Sequence, residues 1–189
     1  MISIFIDERG VATITLERAE KHNALCAQML DELKDAVTNL SFNKAVRVVV
    51  LTGAGESFCA GGDLEWMREQ IQANSATRVR AAAKLAHTLQ ALNTMPKPLI
   101  GALQGNAFGG GVGLAAVCDI AIGVDHLKMG FTETTLGLIP ATIGPYVLAR
   151  MSEGVARRVF MSSRIFKAKE AFNFGIENLV KPISDGVFY

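Results

Sequence analysis

The chain has 189 residues, 50% of them hydrophobic and 20% charged, with a formal net charge of +1. That length and composition suit one globular domain (1–189) with a substantial core and exclude a disordered chain, while the near-neutral charge gives no basic field for nucleic acid. Cys26, Cys59 and Cys118 are odd in number and far apart, with no CxxC or Cys/His cluster, which argues against a disulfide framework or a metal site and fits a reducing, cytoplasmic compartment.

In chain order, residues 2–6 and 11–16 are β-type runs joined around Gly10 and predict a hairpin. Apolar residues at helical spacing over 25–40 predict a helix. The nearly continuous apolar run 46–52 predicts a strand buried on both faces. A glycine-rich loop follows, and 63–93 reads as helical with a break near Asn74-Ser75. After Pro96 and Pro98, residues 99–103 predict a strand, 110–117 a small-residue helix and 119–124 another strand. Helical stretches at 143–151, 154–161 and 167–172 complete the pattern. Strands alternating with helices predict an α/β fold with a largely parallel sheet. The uncharged stretch 98–118 has too many glycines and polar interruptions for a membrane span.

Two loops share one layout of strand, glycines and helix: Ser57-Phe58-Cys59-Ala60-Gly61-Gly62-Asp63-Leu64, and 105–114 with its Gly109-Gly110-Gly111 run. The first N–H groups of a helix lack intrahelical partners, and the helix dipole adds partial positive charge there. Glycine lets the backbone approach a ligand closely. Such a site can hold a phosphate or an oxygen that becomes anionic. Neither loop matches a Walker A or GxGxxG pattern, so nucleotide binding is disfavoured. One loop alone would be read as tight helix packing.

Five segments in order change that reading. Residues 16–25, ending Asn23-Ala24-Leu25, resemble an "RPxxxNAL" segment of the crotonase (enoyl-CoA hydratase/isomerase) superfamily, with Ala19 where proline is common. Residues 58–64 resemble its "FxAGxDL" loop, and Lys97-Pro98 through Gly111 its "KPxIAAVxGxxxGGG" segment. Cys118-Asp119-Ile120-Ala121 and 131–140 complete the set. The resemblance implies a crotonase-like ββα superhelix. It implies an oxyanion hole made by the backbone N–H groups of Gly62 and Gly110 around a CoA-thioester carbonyl. CoA enters as part of the substrate, with no separate cofactor. Arg18, Lys21, Ala24, Ala60, Gly61, Asp63 and Leu64 are the implied CoA contacts, and Gly113 lies beside the acyl group. Arg18 and Lys21 sit equally well in a solvated cluster with Glu17 and Glu20.

Family hydratases carry two glutamates facing one water. Gly113 stands at the first position and Glu133 at the second. Glu133 is therefore the acid/base candidate, and one carboxylate suffices for isomerase chemistry or for hydration with water held by other groups. Residues 107–114 and 139–147 resemble hydratases of branched glutaconyl-CoA compounds, which also carry glycine at the Gly113 position. This favours adding water to a 3-methylglutaconyl-CoA-like thioester over isomerisation. Asp119 reads as structural, and the scattered His22, His87 and His126 support no triad. Cys59 reads as a small packed residue.

Family chains continue into C-terminal helices that cover the acyl pocket and assemble trimers or hexamers. The segment 181–189 does not resemble that continuation, so a truncated CoA-binding or assembly subunit stands as a third reading.

Overall fold

The computed structural model describes residues 1–181, so the tail from 182 onward lies outside the described residues. Strands β1 (Ile2–Ile6) and β2 (Val11–Leu16) form the expected hairpin, in register from Ile2↔Leu16 to Ile6↔Ala12. Gly10 turns it at φ +78°, where an added Cβ would lie 2.5 Å from the Ala45 carbonyl oxygen.

Three strand pairs follow. β3 (Val48–Gly53) leads into β4 (Ser57–Cys59), β5 (Leu99–Leu103) into β6 (Asn106–Phe108), and β7 (Ile120–Val124) into β8 (Lys128–Gly130). β9 (Phe166–Lys167) and β10 (Leu179–Lys181) close the chain's described part. The first strand of each pair joins a six-stranded sheet ordered β1-β2-β3-β5-β7-β10, parallel apart from the β1–β2 hairpin. The second strand joins a four-stranded sheet ordered β4-β6-β8-β9. Each unit thus advances the chain along both sheets at once, giving the ββα superhelix that the resemblance implied.

Helix α1 (Ala27–Phe42) buries Met29, Leu30, Leu33, Ala36, Val37 and Leu40 on one face. Leu25, expected inside it, precedes it instead, bridged to Gly62. Helices α2 (Leu64–Gln72) and α3 (Ser75–Asn93) are separated at Asn74, whose side chain caps α3 by accepting the Thr77 N–H at 2.9 Å. α4 (Gly110–Val117) follows β6, and α5 (Gly144–Arg150), α6 (Glu153–Ser162) and α7 (Ala168–Phe174) follow β8. The stretch 98–118 is divided among β5, β6 and α4, and no helix among the described residues is long and apolar enough to cross a membrane.

One expectation about burial is corrected. β3 is buried at Val49, Leu51 and Gly53 and only half-buried on its other face. Its apolar run reflects a central position between β2 and β5 rather than cover on both faces. Asp119 is structural, as expected: its Oδ2 accepts the Leu99 N–H and its own N–H donates to the Leu99 carbonyl, both at 2.8 Å, locking β5 beside β7.

Glu177 is buried, and neither carboxylate oxygen has a partner among the described residues. Burial pushes its carboxyl up to about 8, from an ordinary value of 4.5. The unfolded chain therefore releases this proton first, and stability falls as pH rises between those two values. Glu177→Gln should leave thermal unfolding nearly unchanged at pH 4 and raise stability by roughly 1–3 kcal/mol at pH 7.5.

Candidate active site

The two glycine loops meet because β4 and β6 pair in parallel. Gly61 has φ +93°, and a Cβ there would lie 2.9 Å from the Phe108 carbonyl oxygen and 3.6 Å from the Gly110 nitrogen. The Leu25 N–H donates to the Gly61 carbonyl at 2.7 Å, and the Asp63 N–H donates to the Leu25 carbonyl at 2.9 Å. Gly62 lies between these two bonds, and its own N–H has no backbone acceptor among the described residues. Gly109, at φ +48°, turns the chain into α4 and donates to the Gly130 carbonyl at 2.9 Å. Its carbonyl accepts from Val112 and Gly113, and the Gly110 N–H, in the first turn of α4, has no backbone acceptor among the described residues.

Glu133 opens the short 3-10 helix Glu133–Leu136 after β8. A Cβ on Gly109 would lie 3.0 Å from its Oε1, so the carboxyl rests on bare glycine backbone one residue before Gly110. Its Oε2 is buried with no partner among the described residues, and burial holds the carboxyl above the ordinary range. Gly62, Gly110 and Glu133 all line one cavity of about 420 Å³. The rest of its wall is mainly apolar, from α2, α3 and the segment 138–143. Two free N–H donors and an acid held toward its neutral form can stabilise an oxyanion and move a proton beside it.

The other expected contacts divide. Arg18 is engaged within the protein. It pairs with Asp63 at 2.7 Å, the two side chains 13% and 5% exposed, and donates to the Ala24 carbonyl at 2.9 Å. Asp63, expected along the CoA path, is instead the buried cap of α2, accepting the N–H groups of Glu65 and Trp66. Burial alone would raise its carboxyl, but the Trp66 N–H and the Arg18 guanidinium outweigh that and hold it below the ordinary range. Lys21 remains exposed, with only a 3.5 Å approach to Glu65. Ala60 and Leu64 are exposed, while Ala24 and Gly61 are buried behind the loop. Gly113 does not line the cavity. An added Cβ would overlap Ile143, which lines the cavity itself.

His22 comes within 3.2 Å of Ser57, an approach that their separation in the chain concealed. Burial pushes the Cys59 thiol up to about 12, in keeping with a packed residue. Sequence reasoning missed Asn23, which is fully buried at φ +55°. Its amide donates to the carbonyls of Ala54 and Ser57 and accepts from Arg18, tying residues 18–25 to the first glycine loop. It also missed Gln70 and Arg78 on the cavity wall.

A family model described as Enoyl-CoA hydratase/isomerase matches residues 7–187. This chain belongs to the enoyl-CoA hydratase/isomerase family. The family member is 35% identical to crotonyl-CoA hydratase of Syntrophomonas wolfei, over 92% of this chain and 66% of that protein. It is 32% identical to the mitochondrial methylglutaconyl-CoA hydratase of Mus musculus, over 90% of this chain and 54% of that one. The crystal structure of an enoyl-CoA hydratase from Shewanella pealeana matches it with a TM-score of 0.93 at 35% identity, covering 95% of this chain and 68% of that chain. The family member thus spans between about half and two thirds of the length of these three proteins.

The Gly113–Ile143 contact in this family member makes a direct prediction. Gly113→Ala should cost about 1–3 kcal/mol through overpacking. In chemical denaturation the same Gly113→Ala change should cost less on an Ile143→Ala background, because that background lacks the methyl that the new Cβ meets.

Proposed function

We propose that this chain adds water across the double bond of an α,β-unsaturated acyl-CoA thioester. The observation that carries the reading is that Gly62, Gly110 and Glu133 line one cavity, with no backbone acceptor for either glycine N–H among the described residues. The thioester oxygen would sit between the two N–H groups. Glu133, ionised, takes a proton from water as the water oxygen bonds to Cβ. The electron pair of the double bond moves through Cα toward the thioester oxygen, forming an enolate held by the two donors. Glu133 then returns its proton to Cα. The balance is one water added, and the thioester brings its own CoA, with Lys21 as the exposed cation available to a CoA phosphate.

A branched glutaconyl-CoA substrate is the finer reading. Its support is the likeness of residues 107–114 and 139–147 to such hydratases and the similarity to a methylglutaconyl-CoA hydratase. A second reading has its own support. Glu133 is the only carboxylate among the described residues that line the cavity. One carboxylate that removes a proton from the carbon beside the carbonyl and returns it two carbons along would act as an isomerase.

Incubation with crotonyl-CoA, 3-methylglutaconyl-CoA and a 3-enoyl-CoA separates the readings. Hydration that falls about 10²–10⁴-fold in Glu133→Gln supports the first. Double-bond migration alone supports the second, and CoA binding without turnover supports a binding or assembly subunit. Because burial raises the Glu133 carboxyl and its ionised form is the base, kcat/KM should rise with pH through a value above the ordinary 4.5. Gly110→Pro removes one N–H and should lower kcat about 10²–10³-fold, whereas Gly110→Ala adds a similar Cβ beside Leu25, keeps the N–H and should lose far less.

A further inference from the structure

Two polar side chains on the cavity wall have no part in the reaction above. Gln70 lies on α2, on the same face as Trp66 and Met67, and its Oε1 is buried with no partner among the described residues. Leaving a buried amide oxygen unpaired is unfavourable. An amide can also turn to present its N–H₂ group, since oxygen and nitrogen are interchangeable in outline. Arg78 lies on α3 and shares its cavity-lining face with Ala81, Ala82 and Leu85. It is the only cation lining the cavity among the described residues and has no salt-bridge partner among them. Arg80, two residues on, instead donates to Thr77 at 3.0 Å.

Around these two groups the wall is apolar, with Ile71, Leu85 and Ile139. An unbranched hydrocarbon chain would give neither of them a partner. Both line the same cavity, and a carboxylate lying between them would take a charge-assisted bond from the guanidinium and one from the amide. Arg78 is exposed, so the carboxylate need not be fully stripped of water, and the burial cost that weakens internal ion pairs is reduced.

We propose that Arg78 and Gln70 anchor a carboxylate at the far end of the acyl chain, so that this cavity selects monothioesters of unsaturated dicarboxylic acids. The inference rests on the hydratase reading and deepens it from the acyl side. Arg78 acts as a specificity residue, outside the proton transfer.

The test uses two matched pairs that differ by one carboxyl group: glutaconyl-CoA against crotonyl-CoA, and 3-methylglutaconyl-CoA against 3-methylcrotonyl-CoA. Dissociation constants are measured by calorimetry on the Glu133→Gln background, and kcat/KM on the wild-type chain. The wild-type preference for the carboxylated member should be about tenfold or more in each pair. Arg78→Met should remove it, Arg78→Lys should keep part of it, and Gln70→Leu should reduce it. Equal affinity for both members overturns the proposal, as does a preference that survives Arg78→Met. A loss in Arg78→Met that is the same for both members and for free CoA also overturns it, since Arg78 would then be meeting a CoA phosphate. If the binding preference holds without hydration, the hydratase reading fails and the anchor stands. Hydration without preference is the reverse result.

Discussion

The site depends on how closely two backbone segments approach each other. β4 and β6 pair in parallel, and the backbone flanking them is in close contact. At Gly105 an added Cβ would overlap the Glu56 carbonyl, and at Gly111 it would overlap the Cys59 carbonyl. At Gly61 it would press on the Phe108 carbonyl. Only glycine allows this spacing at all three places. The reward is chemical as well as steric. With the loops this close, Gly62 and Gly110 line the same cavity.

Other interactions hold the first loop in place. Asn23 spans from Arg18 to the carbonyls of Ala54 and Ser57, and Arg18 reaches across to Asp63 and Ala24. Asp63 in turn caps α2, the helix that carries Trp66, Met67 and Gln70 to the cavity. Removing one member of such a buried network strands the others, so its effect should exceed that of a single surface contact. The Arg18–Asp63 pair therefore links loop shape to pocket wall. That is a structural role, beside the CoA contact that the family resemblance implied.

Much of the larger sheet was legible in the sequence. The hairpin β1–β2 and strand β5 have the bounds that their apolar runs predicted, because five or six residues suffice to show a β pattern. The second sheet was not legible by pattern, since its strands have only two or three residues. The glycine loops were readable as a pair because they share a layout, and Glu133 because it precedes a matching segment. Roles that arise from pairing were hidden. Arg18 and Asp63 are 45 positions apart in the chain, and nothing local says that they meet. Nothing in the sequence around Arg78 shows that α3 brings it to the cavity wall.

The central claim is that two backbone N–H groups polarise the thioester carbonyl. Isotope-edited infrared spectroscopy of bound ¹³C=O-labelled crotonyl-CoA reports this directly, on Glu133→Gln protein so that the ligand persists. The account predicts a lower carbonyl stretching frequency in the complex than in free solution, and a smaller drop in a variant that also carries Gly110→Pro. A carbonyl frequency that is unchanged on binding would contradict it.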